Sequence, residues 1–424
     1  MSLDPAWAYF VLVAVVVGLA SLPLFRATEN PPAPGARYSA IDGLRGFLAL
    51  SVFVFHLIVT HRFIEAGVWE APSFRFYALL GPVGVSLFFM ITGFLFWGKM
   101  LRAEGHPHWR ELYVGRLFRI GPMYLFVVLA MLCIVFARTG LQLHEPAGVV
   151  AGSVVQWLAL GVIDTQPDVN AYQASLVLAK VTWTISYEWA FYASLMATAY
   201  FARGRTHLLY VLGALALCLA GKVFLRIDAM GFAALFLSGM AVASLLHENV
   251  KPKISPNVSS AMALTCLTVI FATSEAGYGT ASAVLLALFF YLVCSGATLF
   301  GLLTTTAAHR LGNVSYSLYL MQGLVLTVVF SNGSIRTFAM ASPQQYWAVG
   351  VLCACVLLLG SALGYAFIER PGIALGKRLG ATPAALTRSR ARHVPLPGIA
   401  ARPWRAPPRL GECRRRDPPS SARS

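Results

Sequence analysis

Residues 116–138 read RLFRIGPMYLFVVLAMLCIVFAR, and the 18 positions 120–137 between Arg119 and Arg138 carry no charge. As a helix rising about 1.5 Å per residue, that run is about 27 Å long, close to the ~30 Å hydrocarbon core of a bilayer. The pattern of a long apolar run flanked by basic residues recurs on both sides of it. Further spans are expected near 6–25, 43–60, 77–97, 185–202, 207–225, 229–247, 258–274, 280–303, 314–330 and 346–368. Composition agrees, with 58% hydrophobic and 12% charged residues and a mean hydropathy of +0.68. A globular domain carries roughly a quarter charged residues. A soluble enzyme, a disordered chain and a nucleic-acid-binding module are therefore excluded. The expected fold is all-α and polytopic.

Charge is unevenly spread. The formal charge is +16, but residues 377–424 hold 12 Lys and Arg against 2 acids, leaving 21 against 15 for the rest. That Pro- and Arg-rich tail reads as a disordered segment beside anionic lipid head groups, with no nucleic-acid role. The seven cysteines show no ligand spacing, so no metal site is expected.

Orientation follows from Lys and Arg in short loops. Lys99, Arg102, Arg110, Arg116 and Arg119 put the loop 98–119 in the cytoplasm, and Arg203, Arg205, Lys251, Lys253, Arg310, Lys377 and Arg378 should join them. Between Arg119 and Arg203 the chain must then cross an even number of times. Spans 120–137 and 185–202 supply two crossings, so the short apolar stretch 147–163 is read as re-entrant or interfacial. Ten spans remain from residue 43 onward, with one extra N-terminal span whose leading flank has no Lys or Arg. It reads as an anchor with its N-terminus outside, a cleaved signal being the weaker reading. The expected domains are 1–36 (extra transmembrane helix and Pro-rich linker), 37–376 (membrane core) and 377–424 (basic cytoplasmic tail).

Ionisable groups inside a membrane need a reason to be there. Arg45 and His56 are eleven residues apart, about three turns plus 20°, so they share a helix face roughly 16 Å apart. Arg45 sits at the cytoplasmic mouth and His56 deeper. The alternative is an Arg that snorkels and a His satisfied by a carbonyl. Histidine is the side chain best poised for proton transfer near neutral pH. Arg116 and Arg119, three apart, can converge on one anion with forks suited to phosphate, or serve only as positive-inside anchors. Glu188 is expected one turn inside the outer end of its span, where it could orient or deprotonate a partner or form a salt bridge. Phe88, Phe89, Tyr316 and Tyr319 are packing or interfacial residues by default.

Six stretches together resemble the membrane acyltransferase-3 family. They are IDGLRG at 41–46 leading to His56, GVSLFFMITGF at 84–94, RLFRIGPMY at 116–124, WTISYEWAFY at 183–192, LGNVSYSLYL at 311–320 and ERP at 369–371. The resemblance implies transfer of an acyl group from acyl-CoA, commonly acetyl-CoA, to a hydroxyl of an exported glycan or similar envelope acceptor. It places this multi-pass protein in the bacterial inner membrane, between cytoplasmic donor and acceptor. It assigns catalytic roles to His56, Glu188 and Arg45, CoA contacts to Arg116, Arg119 and Arg45, and acceptor contacts to Trp183, Tyr316 and Gln322. Thr92 stands where relatives often carry Ser. Gln322 replaces a frequent His, which moves weight onto His56. The rival class, a secondary transporter of a small polar solute, fits the span count and buried charges, but no repeated halves are visible.

Overall fold

The computed structural model describes residues 3, 5–29, 39–163, 165–274 and 278–381. The expected tail beyond residue 381 and linker residues 30–38 lie outside the described residues. In chain order the helices are α1 (Trp7–Ser21), α2 (Ser39–Ala66), α3 (Arg75–Arg102), α4 (Trp109–Arg138), α5 (Ala147–Leu158), α6 (Ala174–Val177), α7 (Trp183–Thr198), α8 (His207–Phe224), α9 (Asp228–His247), α10 (Pro256–Thr273), α11 (Thr280–Ser295), α12 (Thr306–Ser331), α13 (Gly333–Met340), α14 (Pro343–Gly364) and α15 (Arg370–Gly380). A single wide π turn, Tyr365–Glu369, joins α14 to α15. The only extended pairing among the described residues is an isolated bridge between Val169 and Tyr172.

Eight of these helical segments are long and apolar enough to cross a membrane. They coincide with eight of the expected spans. The other three expected spans fall on the shorter helices α1, α7 and α11, of 15, 16 and 16 residues.

The basic loops meet at one end of the bundle. The Gly105 turn lies against Ala199 and Arg203, and His207 Nε2 meets Glu248 Oε1 at 3.0 Å. Gly43 abuts Leu303, and Gly380 abuts Glu111. At the far end Arg138 donates to the Tyr172 hydroxyl at 2.6 Å and also to the Ser331 hydroxyl, while Lys222 pairs with Asp228. Apart from the 139–182 segment, the chain from Ser39 to Gly380 therefore alternates between the two ends and finishes where it began.

That segment is re-entrant, as the charge parity requires. α5 has 12 residues, about 18 Å of helix, too little to cross. It starts near Arg138, where Asn170 Oδ1 accepts from the His144 backbone at 2.7 Å. It ends beside Tyr124, whose hydroxyl donates to the Trp157 carbonyl at 3.0 Å. Tyr124 lies 14 residues before Arg138, about 21 Å down α4. The chain climbs back to the Val169–Tyr172 bridge and descends a second time. On that descent Thr327 donates to the Val177 carbonyl at 3.2 Å, and Tyr319 to the Val181 carbonyl at 3.0 Å. α7 thus begins in the middle of the bundle. The polar backbone of this irregular stretch is packed against protein, as non-helical backbone at membrane depth must be.

Close approach of backbones replaces hydrophobic driving force between the helices. A Cβ at Gly93 would overlap the Phe236 carbonyl, and one at Gly239 would overlap the Met90 carbonyl, so α3 and α9 touch backbone to backbone. Helix α1 buries Ala8, Leu12, Val16 and Ala20, one stripe at a four-residue interval. Its last carbonyls are capped from α12: Arg310 donates to Ala20 and Leu22 at 2.7 and 2.8 Å and to Glu29 at 2.6 Å. Arg310 is buried, so this cation, expected as a cytoplasmic anchor, is spent on holding the extra helix.

Candidate active site

Five helices enclose a cavity of about 120 Å³. α2 contributes Arg45. α3 contributes Phe88, Thr92 and Phe96. α4 contributes Arg116, Arg119 and Ile120, spaced to share one face. α7 contributes Thr184, Glu188 and Tyr192 at intervals of four, and α12 contributes Ser315, Tyr316 and Tyr319. Residues three and four apart fall on the same side of a helix, so each group follows from local periodicity. Bringing the five groups together requires the tertiary fold.

The polar groups are linked. The Tyr192 hydroxyl donates to Glu188 Oε2 at 2.9 Å and also interacts with Arg116. The Arg116 guanidinium lies 5.0 Å from the Phe96 ring centre, and Lys99 approaches the same ring at 5.2 Å. A cation over an aromatic face is held by the ring quadrupole. The Tyr113 hydroxyl, one turn before Arg116, donates to the Tyr192 carbonyl at 2.8 Å and locks α4 to α7.

Arg119 is engaged differently. Its Nη2 lies 3.2 Å from Glu369 Oε1, with the arginine side chain 22% exposed and the glutamate side chain fully buried. Glu369 Oε2 accepts from Ser317 at 2.9 Å. The two arginines line one cavity as their spacing suggests, but Arg119 already holds a carboxylate of the protein. The wide turn at the end of α14 places Glu369, and such turns occur often at functional sites.

Three placements differ from the sequence-based expectation. Glu188 is not near the outer end of a span: because α7 starts at mid-depth, it stands level with the arginines. Trp183 does not line the cavity. Its ring packs among Phe89, Tyr187, Phe232 and Tyr278, with centroids 5.1–6.4 Å away. Gln322 also lies off the cavity wall. It is fully buried and faces His56, whose Nδ1 lies 3.2 Å from Gln322 Oε1 and 3.0 Å from the Val52 carbonyl. Tyr316 does line the cavity, with its hydroxyl donating to the Ile120 carbonyl at 2.9 Å.

His56 itself lies above the cavity, toward the far end. Its ring is tilted 25° from that of Trp69, with centroids 6.4 Å apart. It connects downward through Gln322, whose Nε2 donates to the carbonyl of Tyr319, a cavity residue, at 2.8 Å. Unbroken α2 keeps Arg45 and His56 on one face. Glu369 and Tyr192 lie in two of the stretches that carry the resemblance but receive no site role from the sequence. An acid closing the uncharged apolar run 346–368 is a signal for the first; the second has none, since a tyrosine in WAFY reads as packing.

Residues 38–366 match the family model described as an acyltransferase domain. Acyltransferase MdmB from Streptomyces mycarofaciens is 30% identical over 164 residues, which cover 37% of this chain and 38% of that protein. No solved structure matches. The family match extends from the start of α2 to the π turn before Glu369 and takes in every helix that lines the cavity, so this chain belongs to the acyltransferase domain family and is a multi-pass membrane protein of that family.

Proposed function

We propose that this acyltransferase moves an acetyl group from acetyl-CoA, bound from the cytoplasm at the basic end, to a hydroxyl of a glycan or lipid-linked glycan at the far end. The observation that carries this reading is the convergence of Arg45, Arg116, Arg119 and Glu188, from three separate helices, on one cavity, with His56 further along the helix that bears Arg45. Basic loops gathered at one end suit a cytoplasmic face of an inner membrane, with the C-terminus there.

The cavity volume limits what can enter. At about 120 Å³ it lies below the ~300–1,000 Å³ of sites that engulf a whole drug-sized ligand. It accommodates the acyl-thioester end, and the nucleotide stays outside among the basic residues. Arg116, stacked on Phe96 and touched by the Tyr192 hydroxyl, turns its remaining N–H groups to a phosphate, and Arg119 presents a fork held rigid by Glu369. Arg45 faces the thioester from below. The acceptor hydroxyl loses its proton to His56 as its oxygen attacks the thioester carbonyl. A C–O bond forms, the C–S bond breaks, and the thiolate of CoA leaves and takes up a proton. Glu188, hydrogen-bonded to Tyr192, orients Arg116 through that hydroxyl.

Purified protein supplied with radiolabelled acetyl-CoA, with no ion gradient, should release CoA and transfer label to envelope glycan extract. His56→Ala should abolish transfer while reaching the membrane at normal abundance. A transfer rate within tenfold of wild type would remove His56 from the chemistry. Gradient-driven solute uptake with no CoA release would instead favour a transporter.

A further inference from the structure

The surroundings of His56 decide which of its nitrogens can act. Nδ1 faces two oxygens, the Val52 carbonyl and Gln322 Oε1. The amide of Gln322 cannot be reversed without loss, because its Nε2 donates to the Tyr319 carbonyl at 2.8 Å. Turning it over would set oxygen against oxygen there and an N–H group against the protonated imidazole nitrogen. Gln322 has no exposed surface, so water offers no alternative partner. Two acceptors at Nδ1 require the proton to reside on Nδ1, which leaves the lone pair on Nε2.

The seat of Gln322 is rigid. A Cβ on the next residue, Gly323, would overlap the Leu178–Ala179 backbone, so α12 is pressed against the re-entrant segment at this level. One turn below, the Tyr319 hydroxyl bonds both the Val181 carbonyl and Thr184, each at 3.0 Å. The re-entrant segment thus holds Tyr319, Tyr319 holds Gln322, and Gln322 holds the imidazole.

We propose that Gln322 is a positioning residue that fixes His56 as the Nδ1–H tautomer and presents Nε2 as the proton acceptor in acyl transfer. This rests on the reading of His56 as the base. The Val52 carbonyl alone does not suffice: it already accepts the α2 backbone bond from the same residue, and a single contact leaves the ring free to tilt. Gln322 closes the second side. The family resemblance reads Gln322 as a replaced histidine; the geometry here gives the replacement a task of its own.

The test uses full-length protein labelled with ¹⁵N-histidine, with the His56 signals identified by difference against His56→Gln. Protonated and bare imidazole nitrogens resonate far apart. Wild type should show a protonated Nδ1 and a bare Nε2. Gln322→Met, and Gln322→Leu as a second apolar replacement, should give mixed tautomers. Each should lower the kcat for release of CoA from acetyl-CoA by roughly 10- to 100-fold, a partial loss of the ~10²–10⁴ that a general base contributes, with KM for acetyl-CoA within twofold. Gln322→Glu keeps an acceptor oxygen and should restore the single tautomer and most of kcat. An unmixed Nδ1–H tautomer with kcat within threefold of wild type in the apolar variants would overturn the proposal. So would a raised KM at unchanged kcat, which would place Gln322 on a substrate. If His56→Ala is active while the tautomer still follows residue 322, the base assignment fails and the positioning geometry stands.

Discussion

Removing Arg119 should destabilise the fold before it reports on any ligand. Its partner Glu369 is fully buried, with Oε1 3.2 Å from the guanidinium and Oε2 satisfied by Ser317. Arg119→Ala strands that carboxylate. Breaking a buried ion pair on one side costs about 3–5 kcal/mol, chiefly through the uncompensated charge. Because Arg119 retains some exposure toward the cavity, the lower figure of about 3 kcal/mol applies. That corresponds to roughly 100-fold in the folding equilibrium at 1.4 kcal/mol per tenfold. Glu369→Ala should cost a similar amount by stranding the arginine. The double variant Arg119→Ala, Glu369→Ala removes both charges and should cost about 3 kcal/mol, no more than either single variant and well short of the additive ~6, giving a coupling of about 3 kcal/mol, at the top of the range for groups in direct contact. Unfolding in mixed micelles by titration with dodecyl sulfate measures all four corners of the cycle. Additive single effects, each below about 1 kcal/mol, would refute a coupled buried pair and return Arg119 to the role of a free anion ligand.

Arg116 has the opposite profile. Arg116→Ala should leave unfolding nearly unchanged and weaken CoA binding roughly 10- to 100-fold, the worth of one charge-assisted contact; Arg116→Lys should rescue only in part because the fork is lost, and equilibrium dialysis with labelled CoA reads both. Gly239→Leu should prevent recovery of monodisperse protein, since any side chain meets the Met90 carbonyl on α3; a normal gel-filtration profile would contradict that backbone contact. A topology reporter fused after Ala103 should read cytoplasmic and one after Gln166 external. A cytoplasmic signal at Gln166 would make 147–163 a true crossing and break the alternation of ends.

Much of the architecture was legible in the sequence because lipid imposes length and charge rules on each helix separately. Apolar runs located the helices, and Arg119 and Arg203 forced the intervening apolar stretch to turn back. Side chains on one helix face, such as Arg116 with Arg119, follow from a repeat of 3.6 residues. What the tertiary structure decided concerns depth and partners. Glu188 lies among the arginines only because the re-entrant segment uses up the outer half of the bundle before α7 begins. Arg119 is paired because a wide turn 250 residues later aims Glu369 inward, and Trp183 and Gln322 leave the cavity for an aromatic cluster and for His56. Spacing along a helix gives direction and rise within that helix alone. Which buried charge meets which is settled by helix packing, where an unpaired charge costs more than any local preference can offset.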